Sequence, residues 1–504
     1  MGAQAGGGGN FNIYSMNTIV PYEGMINEYY FRISQRETEL AANLETFKSV
    51  TKNPFTNRLE YFLGLLIKSK YDGIGRQMDQ IDIAIALDIS GSMGCGINPK
   101  PTFEEMLQQK EGIPYGESFK NRKNRITIAK ECLFKLVNSM TDKMNLALTT
   151  FHEESKVIIP LSPKKEILSI SNKINEIVAD GGTDLTVALK GAADCLNEST
   201  AKFKRVIIIT DGWDNRDSFM SLAKELNKKD ILITILSIDS GSNSSMYDKL
   251  SELKGCNYYF ILNEHDMEKY LIKQLNYICF PALYDMKINF LSDDAYLIRA
   301  IGCGQENEKS KKIEDGNNNN DNSAPTVNQN LINTKTIFPS DLKELNGNYY
   351  QEGGLILLKI QPKSLDKKCK VVLNLSYQEI EGNTFDKNYE IEFSPEELKK
   401  EGNSSEMKKG LAIYYFTKFI RKIKKFMNCN VQIDAGGPKE IKGERPDIKY
   451  FNFLSRNYEN YDKIKMYFEA NYNNDLNKCQ KEYYLKNLDD QYAEVENKKK
   501  EYRN

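Results

Sequence analysis

The sequence of 504 residues lacks the features that mark several large classes of protein. Its apolar runs are far shorter than the ~20 residues that a membrane-spanning helix needs, so we expect no transmembrane segment. Residues 1–10 are rich in glycine and have neither the basic nor the apolar region of a signal peptide, and we interpret them as a disordered tail. A formal net charge of -1 creates no long-range field that would attract nucleic acid or an anionic membrane.

Cysteine and histidine are few, and they form no recognised metal motif. The nine cysteines are scattered, odd in number and without a C-x-x-C pair, which argues against both a disulfide framework and a zinc site. We expect most of them to be small core residues in a reducing compartment, which indicates a cytoplasmic protein.

Sequence signatures of the common hydrolases and nucleotide-binding proteins are also missing. There is no P-loop, no Gly-x-Ser-x-Gly and no His-Glu-x-x-His. His152 follows an expected strand and could approach a site there, but no serine or cysteine is arranged around it, so we favour an ordinary loop role. We therefore expect a protein that is not an enzyme, with metal-assisted hydrolysis as the enzymatic alternative.

Residues 81–280 alternate apolar runs with amphipathic segments. The runs at 81–87 and 206–209 are apolar almost throughout, as is typical of strands buried on both faces. Between the runs, as at 185–196, apolar residues recur at helical spacing. This alternation predicts an α/β domain with a doubly wound, mostly parallel sheet, to which we assign residues 79–281.

Five oxygen-bearing side chains follow or join these elements. They are Asp88, Ser90 and Ser92 in Asp-Ile-Ser-Gly-Ser, Thr183 in Gly-Gly-Thr-Asp, and Asp211 in Ile-Ile-Ile-Thr-Asp-Gly. Ligands of such sheets bind outside the carboxyl ends of the strands, where Asp88 and Asp211 are expected. Hard oxygens suit Mg²⁺, Mn²⁺ or Ca²⁺, and only two carboxylates leave a coordination position open. The alternatives are turn-capping side chains without a metal, or a metal that only stabilises the fold.

The five residues resemble the metal-ion-dependent adhesion site of von Willebrand factor type A (VWA) domains. In that site Asp-x-Ser-x-Ser, a distant Thr and a distant Asp surround one cation. The resemblance implies a Rossmann-like VWA fold and a non-enzymatic module, in which Mg²⁺ bridges to an acidic residue of a partner protein. The alternatives are a scaffold or assembly protein with a structural metal, and a Mg²⁺-dependent hydrolase.

After residue 281 the alternation of apolar runs and helical segments ends. Short segments that are β-branched or alternating, separated by turn residues, predict an antiparallel β-sandwich over 282–400. Within it, 305–336 has almost no apolar residues before Leu331 and is expected to be a disordered insert. Helical spacing of apolar residues predicts a helical region over 401–504.

The N-terminal segment 11–78 lies outside the α/β pattern. With Asn-Glu-Tyr-Tyr-Phe at 27–31, it resembles the segment ahead of the VWA domain in a group of bacterial and protist proteins. In that group a β-sandwich and a short helical end follow the VWA domain, an arrangement loosely like the inter-alpha-trypsin-inhibitor heavy chains. The resemblance implies that 11–78 packs with the sandwich.

Two further features are expected on the metal face. The insertion 94–124 leaves directly from the metal loop, and loops on a rigid scaffold are where recognition tends to lie. Its basic end, 120–125, would suit an acidic partner or could simply be a solvated charge run. Trp213, the only tryptophan, follows Asp211-Gly212 and would be either a binding anchor or a packing residue beneath the insertion.

The predicted insert gives a test of domain organisation. Limited proteolysis is expected to cut first within 305–336 and at the chain ends, because this segment has no apolar anchor points. The two fragments should co-elute on a sizing column, since sandwich strands lie on both sides of the cut. Separate elution under native conditions would instead identify an interdomain linker.

Overall fold

The computed structural model describes residues 26, 29–34, 38–75, 80–96, 123–212, 217–238, 244–261, 264–303, 330–434, 437–440, 463 and 466. The strands are β1 (Tyr30–Ile33), β2 (Asn43–Lys52), β3 (Leu59–Lys68), β4 (Ile81–Asp88), β5 (Met144–Phe151), β6 (Ser155–Pro163), β7 (Phe203–Thr210), β8 (Ile231–Ile238), β9 (Asn257–Ile261), β10 (Leu283–Leu291), β11 (Ala295–Ile301), β12 (Leu331–Ile337), β13 (Leu342–Leu345), β14 (Asn348–Glu352), β15 (Leu355–Pro362), β16 (Cys369–Glu379), β17 (Thr384–Phe393), β18 (Gly402–Asn403), β19 (Val431–Asp434) and β20 (Gly437–Glu440).

The α-helices in these ranges are α1 (Arg125–Ser139), α2 (Lys164–Ile170), α3 (Asn172–Asn175), α4 (Leu185–Asp194), α5 (Asp217–Lys228), α6 (Ser244–Ser251), α7 (Glu264–Glu268), α8 (Leu275–Cys279), α9 (Pro395–Lys399) and α10 (Ser405–Asn430). A 3₁₀ turn spans Gly91–Gly94 and a π-helical turn spans Lys269–Lys273. Of the helices that can be described, none is long and apolar enough to cross a membrane.

A six-stranded sheet forms the centre of the α/β part of the chain. Its strand order is β6-β5-β4-β7-β8-β9, with β6 antiparallel to β5 and every other pair parallel. All eight residues of β4 are buried, because both faces of the sheet are covered. Ile83 and Ile85 enter one apolar cluster with α1, whereas Ala84 and Ala86 enter a second one with α4. The predicted α/β fold with a mostly parallel sheet is confirmed.

Antiparallel sheets make up most of the rest. A four-stranded sheet, β12-β10-β16-β17, and a five-stranded sheet, β11-β15-β3-β2-β18, share one apolar core. Strands β2 and β3 precede the six-stranded sheet in the chain, yet β3 pairs with β15, which follows it. The α/β part is thus inserted between strands of one antiparallel assembly. A smaller sheet, β1-β14-β13, also joins early and late segments.

Two sequence expectations need correction. The insert predicted over 305–336 is too long, because Leu331–Ile337 forms strand β12 and buries Ile332 in the sandwich core. Residues 304–329 lie outside the described ranges. The region predicted as wholly helical over 401–504 contains α10 but also β18, β19 and β20. Pro438 lies in β20, and proline lacks the amide proton that a helix interior needs.

Two glycines allow α10 to lie close to the five-stranded sheet. A Cβ atom on Gly64 of β3 would overlap the Met407 sulfur, and one on Gly410 of α10 would overlap the side chain of Leu355 on β15. Met407 and Leu355 are both buried, so they have little space in which to move aside. The separation of helix and sheet therefore depends on these missing side chains.

Replacing one of these glycines should weaken the sandwich. Gly64→Val is expected to cost about 1–3 kcal/mol of unfolding free energy, because a branched side chain overpacks this contact. Chemical denaturation followed by circular dichroism measures the loss. Gly402→Ala is the matched control, since no atom lies within 4 Å of a Cβ atom there. Equal midpoints for the two variants would show that the helix–sheet contact is looser than described.

Candidate metal centre

Asp88 ends β4 at the carboxyl edge of the six-stranded sheet and is completely buried. Its Oδ2 accepts a hydrogen bond from Thr210 Oγ1 at 2.5 Å, and its Oδ1 accepts one from the amide of Ser90 at 2.7 Å. Burial raises the pKa of Asp88, with the negative charge of Asp211 acting in the same direction, while the hydrogen bonds from Thr210 and Ser90 oppose the rise. The carboxylate is therefore held in one orientation between β4 and β7.

Ser90 immediately precedes the 3₁₀ turn that follows β4, and Ser92 lies within that turn. Ser90 Oγ lies 3.0 Å from Ser92 Oγ, and Ser92 Oγ donates to Asp211 Oδ1 at 2.8 Å. Met93, within the turn, is fully buried and anchors it to the core. Ser90 is buried, whereas Ser92 is exposed at the open side of the cluster. The turn thus places one hydroxyl inside the protein and the other at its surface.

Thr183, in the loop that precedes α4, also lies at the carboxyl edge of the sheet. A Cβ atom on Gly212 would lie 2.8 Å from Thr183 Oγ1. Because Gly212 has no Cβ atom, Thr183 can pack against it, directly beside Asp211. The amide of Gly91 donates to the carbonyl of Gly181 at 3.0 Å, which joins this loop to the 3₁₀ turn. Gly181 has a φ of 81°, a conformation that favours glycine.

The five side chains predicted from the sequence therefore lie together at one edge of the sheet. They supply three hydroxyl groups and two carboxylate groups, a donor set that fits a hard divalent cation. Elsewhere in the described ranges, too, no three His, Cys, Asp or Glu side chains are grouped in a way that could hold a metal. A cation at this edge would consequently depend on the serine and threonine hydroxyls.

Arg125 was not among the predicted site residues, yet it contacts the cluster. It is the first residue of α1, and its Nη1 forms an ion pair with Asp211 Oδ2. From the sequence, the basic end of the insertion would suit an acidic partner or be a solvated charge run, and for two of its residues the structure shows a different role. Arg125 pairs with Asp211, and Lys123 pairs with Glu131 and Glu264, so both contact carboxylates of the same chain. A basic run in a sequence does not reveal such distant partners.

Thr210 was also missed, although it immediately precedes Asp211 in the sequence. A hydroxyl residue at the end of a buried strand, beside a predicted ligand, was the available signal. His152 lies beneath the loop of Gly181, and its ring bonds to Glu153, which in turn accepts from the amide of Gly182 at 2.9 Å. Trp213 and insertion residues 97–122 lie outside the described ranges.

Comparisons with known proteins support a VWA domain here. Residues 82–274, which include all five candidate ligands, match the family model of the von Willebrand factor type A domain. Over 204 residues the chain is 21% identical to Uncharacterized protein YfbK of Escherichia coli (strain K12), covering 39% of this chain and 35% of YfbK. The match thus spans about a third of that curated relative.

Solved structures show more distant likeness. A von Willebrand factor type A protein from Catenulispora acidiphila has a TM-score of 0.41 and 10% identity, over 84% of this chain and 98% of that one. Proximal thread matrix protein 1 from the mussel byssus, solved with a zinc-occupied metal-ion-dependent adhesion site, has a TM-score of 0.30 and 18% identity. This likeness covers 40% of this chain and 46% of the mussel protein.

Cation binding at this cluster should be visible as thermal stabilisation. MgCl₂ or MnCl₂ is expected to raise the melting temperature, since a ligand at 100 times its Kd stabilises the folded state by about 2.7 kcal/mol. Asp88→Asn should remove most of the increment, because it deletes one of the two negative charges at the cluster while preserving side-chain size.

Asp180→Asn is the control for this experiment. Asp180 is an exposed carboxylate next to Gly181, outside the set of five, and its loss should leave the increment unchanged. Differential scanning calorimetry with and without cation gives the comparison. An Asp88→Asn protein that gains as much stability as the parent protein would show that the cluster does not bind the ion.

Proposed function

We propose that the VWA domain is a divalent-cation-dependent protein-binding module. Asp88, Ser90, Ser92, Thr183 and Asp211 would hold Mg²⁺, with Mn²⁺ or Ca²⁺ as substitutes, and an acidic residue of a partner protein would complete the coordination. The observation that supports this most strongly is the convergence of donors from three separate stretches of chain, joined by Ser92 donating to Asp211 at 2.8 Å.

The balance of charge in the cluster favours an external carboxylate. Two protein carboxylates at most neutralise a divalent cation, so they leave no excess negative charge at the cluster that would repel an anionic group. Hydroxyl ligands are neutral, so the bound cation would still attract an anionic group. Ser92 is exposed while Asp88 and Ser90 are buried, so the cluster has one open side from which such a group can approach.

The insertion is in a suitable position to contribute to recognition. Gly96 and Asn124 form an isolated antiparallel bridge, and the amide of Arg125 donates to the carbonyl of Cys95 at 2.9 Å. The two ends of the insertion therefore lie side by side, directly beside the cluster. A partner bound through the cation would meet residues near both ends of this segment.

A binding module is favoured over a hydrolase by the groups around the cluster. His152 and Glu153 lie against the loop of Gly181 and Gly182, and they are hydrogen-bonded to each other at 2.8 Å. Glu153 also accepts a hydrogen bond from the amide of Gly182, so its carboxylate connects two neighbouring loops. Both groups are thus engaged in contacts within the loops around the cluster.

Loss of one hydroxyl ligand tests the proposal. Partner proteins captured in Mg²⁺ and released by EDTA would be identified by mass spectrometry, and one would be purified for binding measurements. Ser92→Ala is expected to weaken its binding at least tenfold without changing the circular dichroism spectrum, because it removes one oxygen and keeps both carboxylates. Neutralising the partner's contacting Asp or Glu should have the same effect.

Ser169→Ala is the matched control, since Ser169 is exposed on α2 and its hydroxyl bonds only the local carbonyl of Glu166. Partner binding that survives both EDTA and Ser92→Ala would contradict a bridging cation. A cation that stabilises the protein without any EDTA-sensitive partner would instead indicate the structural-metal alternative.

A further inference from the structure

Arg125 occupies a position that would affect any cation bound at the cluster. Resting on the proposed function, we propose that the Arg125 guanidinium competes with the divalent cation for Asp211 and so sets the affinity and charge selectivity of the site. Arg125 is then a built-in counter-ion whose displacement accompanies loading of the site.

The contacts of Asp211 carry this inference. Its Oδ1 accepts from Ser92, and its Oδ2 pairs with Nη1 of Arg125, so both carboxylate oxygens are engaged. The Asp211 side chain is 0% exposed although its backbone is partly open, whereas the Arg125 side chain is 13% exposed. The carboxylate is therefore covered, and the guanidinium is one of the groups that cover it.

The backbone of Arg125 cannot move away easily. Its amide donates to Cys95, and the side chain of the preceding residue, Asn124, caps α1 by accepting from the amide of Thr127 at 2.9 Å. A cation coordinated by Asp211 would lie a few ångströms from the guanidinium, where like charges repel in a site shielded from water. The expected response is a rotation of the arginine side chain away from Asp211, with the helix end fixed.

Competition of this kind also discriminates between ions. Arginine stays protonated at every physiological pH and offers a planar set of donors to a carboxylate. A monovalent ion brings the same single charge as the guanidinium and has no electrostatic advantage over it. A divalent ion brings twice the charge, which also interacts with Asp88. The pair with Arg125 thus favours Mg²⁺ or Mn²⁺ over Na⁺ or K⁺, at the cost of weaker overall binding.

Isothermal titration calorimetry of the full chain with MnCl₂ tests whether Arg125 competes with the cation for Asp211. Arg125→Gln is expected to bind Mn²⁺ at least tenfold more tightly than the parent protein, because the competing charge is gone. Its Mn²⁺ binding should also become more sensitive to added KCl. Arg125→Met, which keeps the aliphatic stem and removes the charge, is a second variant and should show the same gain.

Lys123→Gln is the matched control, since it removes a nearby positive charge that pairs with Glu131 and Glu264 outside the cluster. Its Mn²⁺ affinity should equal that of the parent protein. Equal or weaker Mn²⁺ binding in both folded Arg125 variants overturns the competition while leaving the proposed function intact. Absence of Mn²⁺ binding in every protein, including both Arg125 variants, overturns the proposed function as well.

Discussion

The parallel pairing of β4 with β7 is the constraint on which the candidate site depends. This pairing brings the ends of two buried strands side by side, so that Asp88 meets Thr210 and lies near Asp211. The 3₁₀ turn and the loop of Thr183 then add hydroxyls to a position that the two strands define. The pairing is itself stabilised by apolar clusters on both faces of the sheet, so the geometry of the polar edge follows from the burial of the core.

Much of this arrangement could be predicted from the sequence because its causes are local. Uniformly apolar runs predicted the buried strands, and residues directly after such strands must lie at the carboxyl edge, which located Asp88 and Asp211. Arg125 could not be found in this way, because its pairing with Asp211 joins residues 86 positions apart. Part of strand β12 was missed because Ile332 is the one residue that is buried in the sandwich core among those of the strand whose burial is described.

The α/β part and the antiparallel sheets also contact each other through polar groups. Lys269, in the π-helical turn, pairs with Glu352 of β14, and Gln274 donates to the same carboxylate at 3.0 Å. The amide of Gly255 donates to Thr336 of β12 at 2.7 Å. Removing one partner of a buried ion pair typically costs about 3–5 kcal/mol, because it leaves the other charge without compensation. The α/β part is therefore connected to the sandwich through the chain at both of its ends and also through these polar contacts.

The central claim is that five side chains from three stretches of chain form one cation site. Anomalous diffraction at the manganese absorption edge, from crystals grown in MnCl₂, tests it most directly. We expect a single strong peak within coordination distance of Ser90 and Ser92, with Asp211 no longer paired with Arg125. A cluster without a peak, or a peak bound only at other residues, would contradict it.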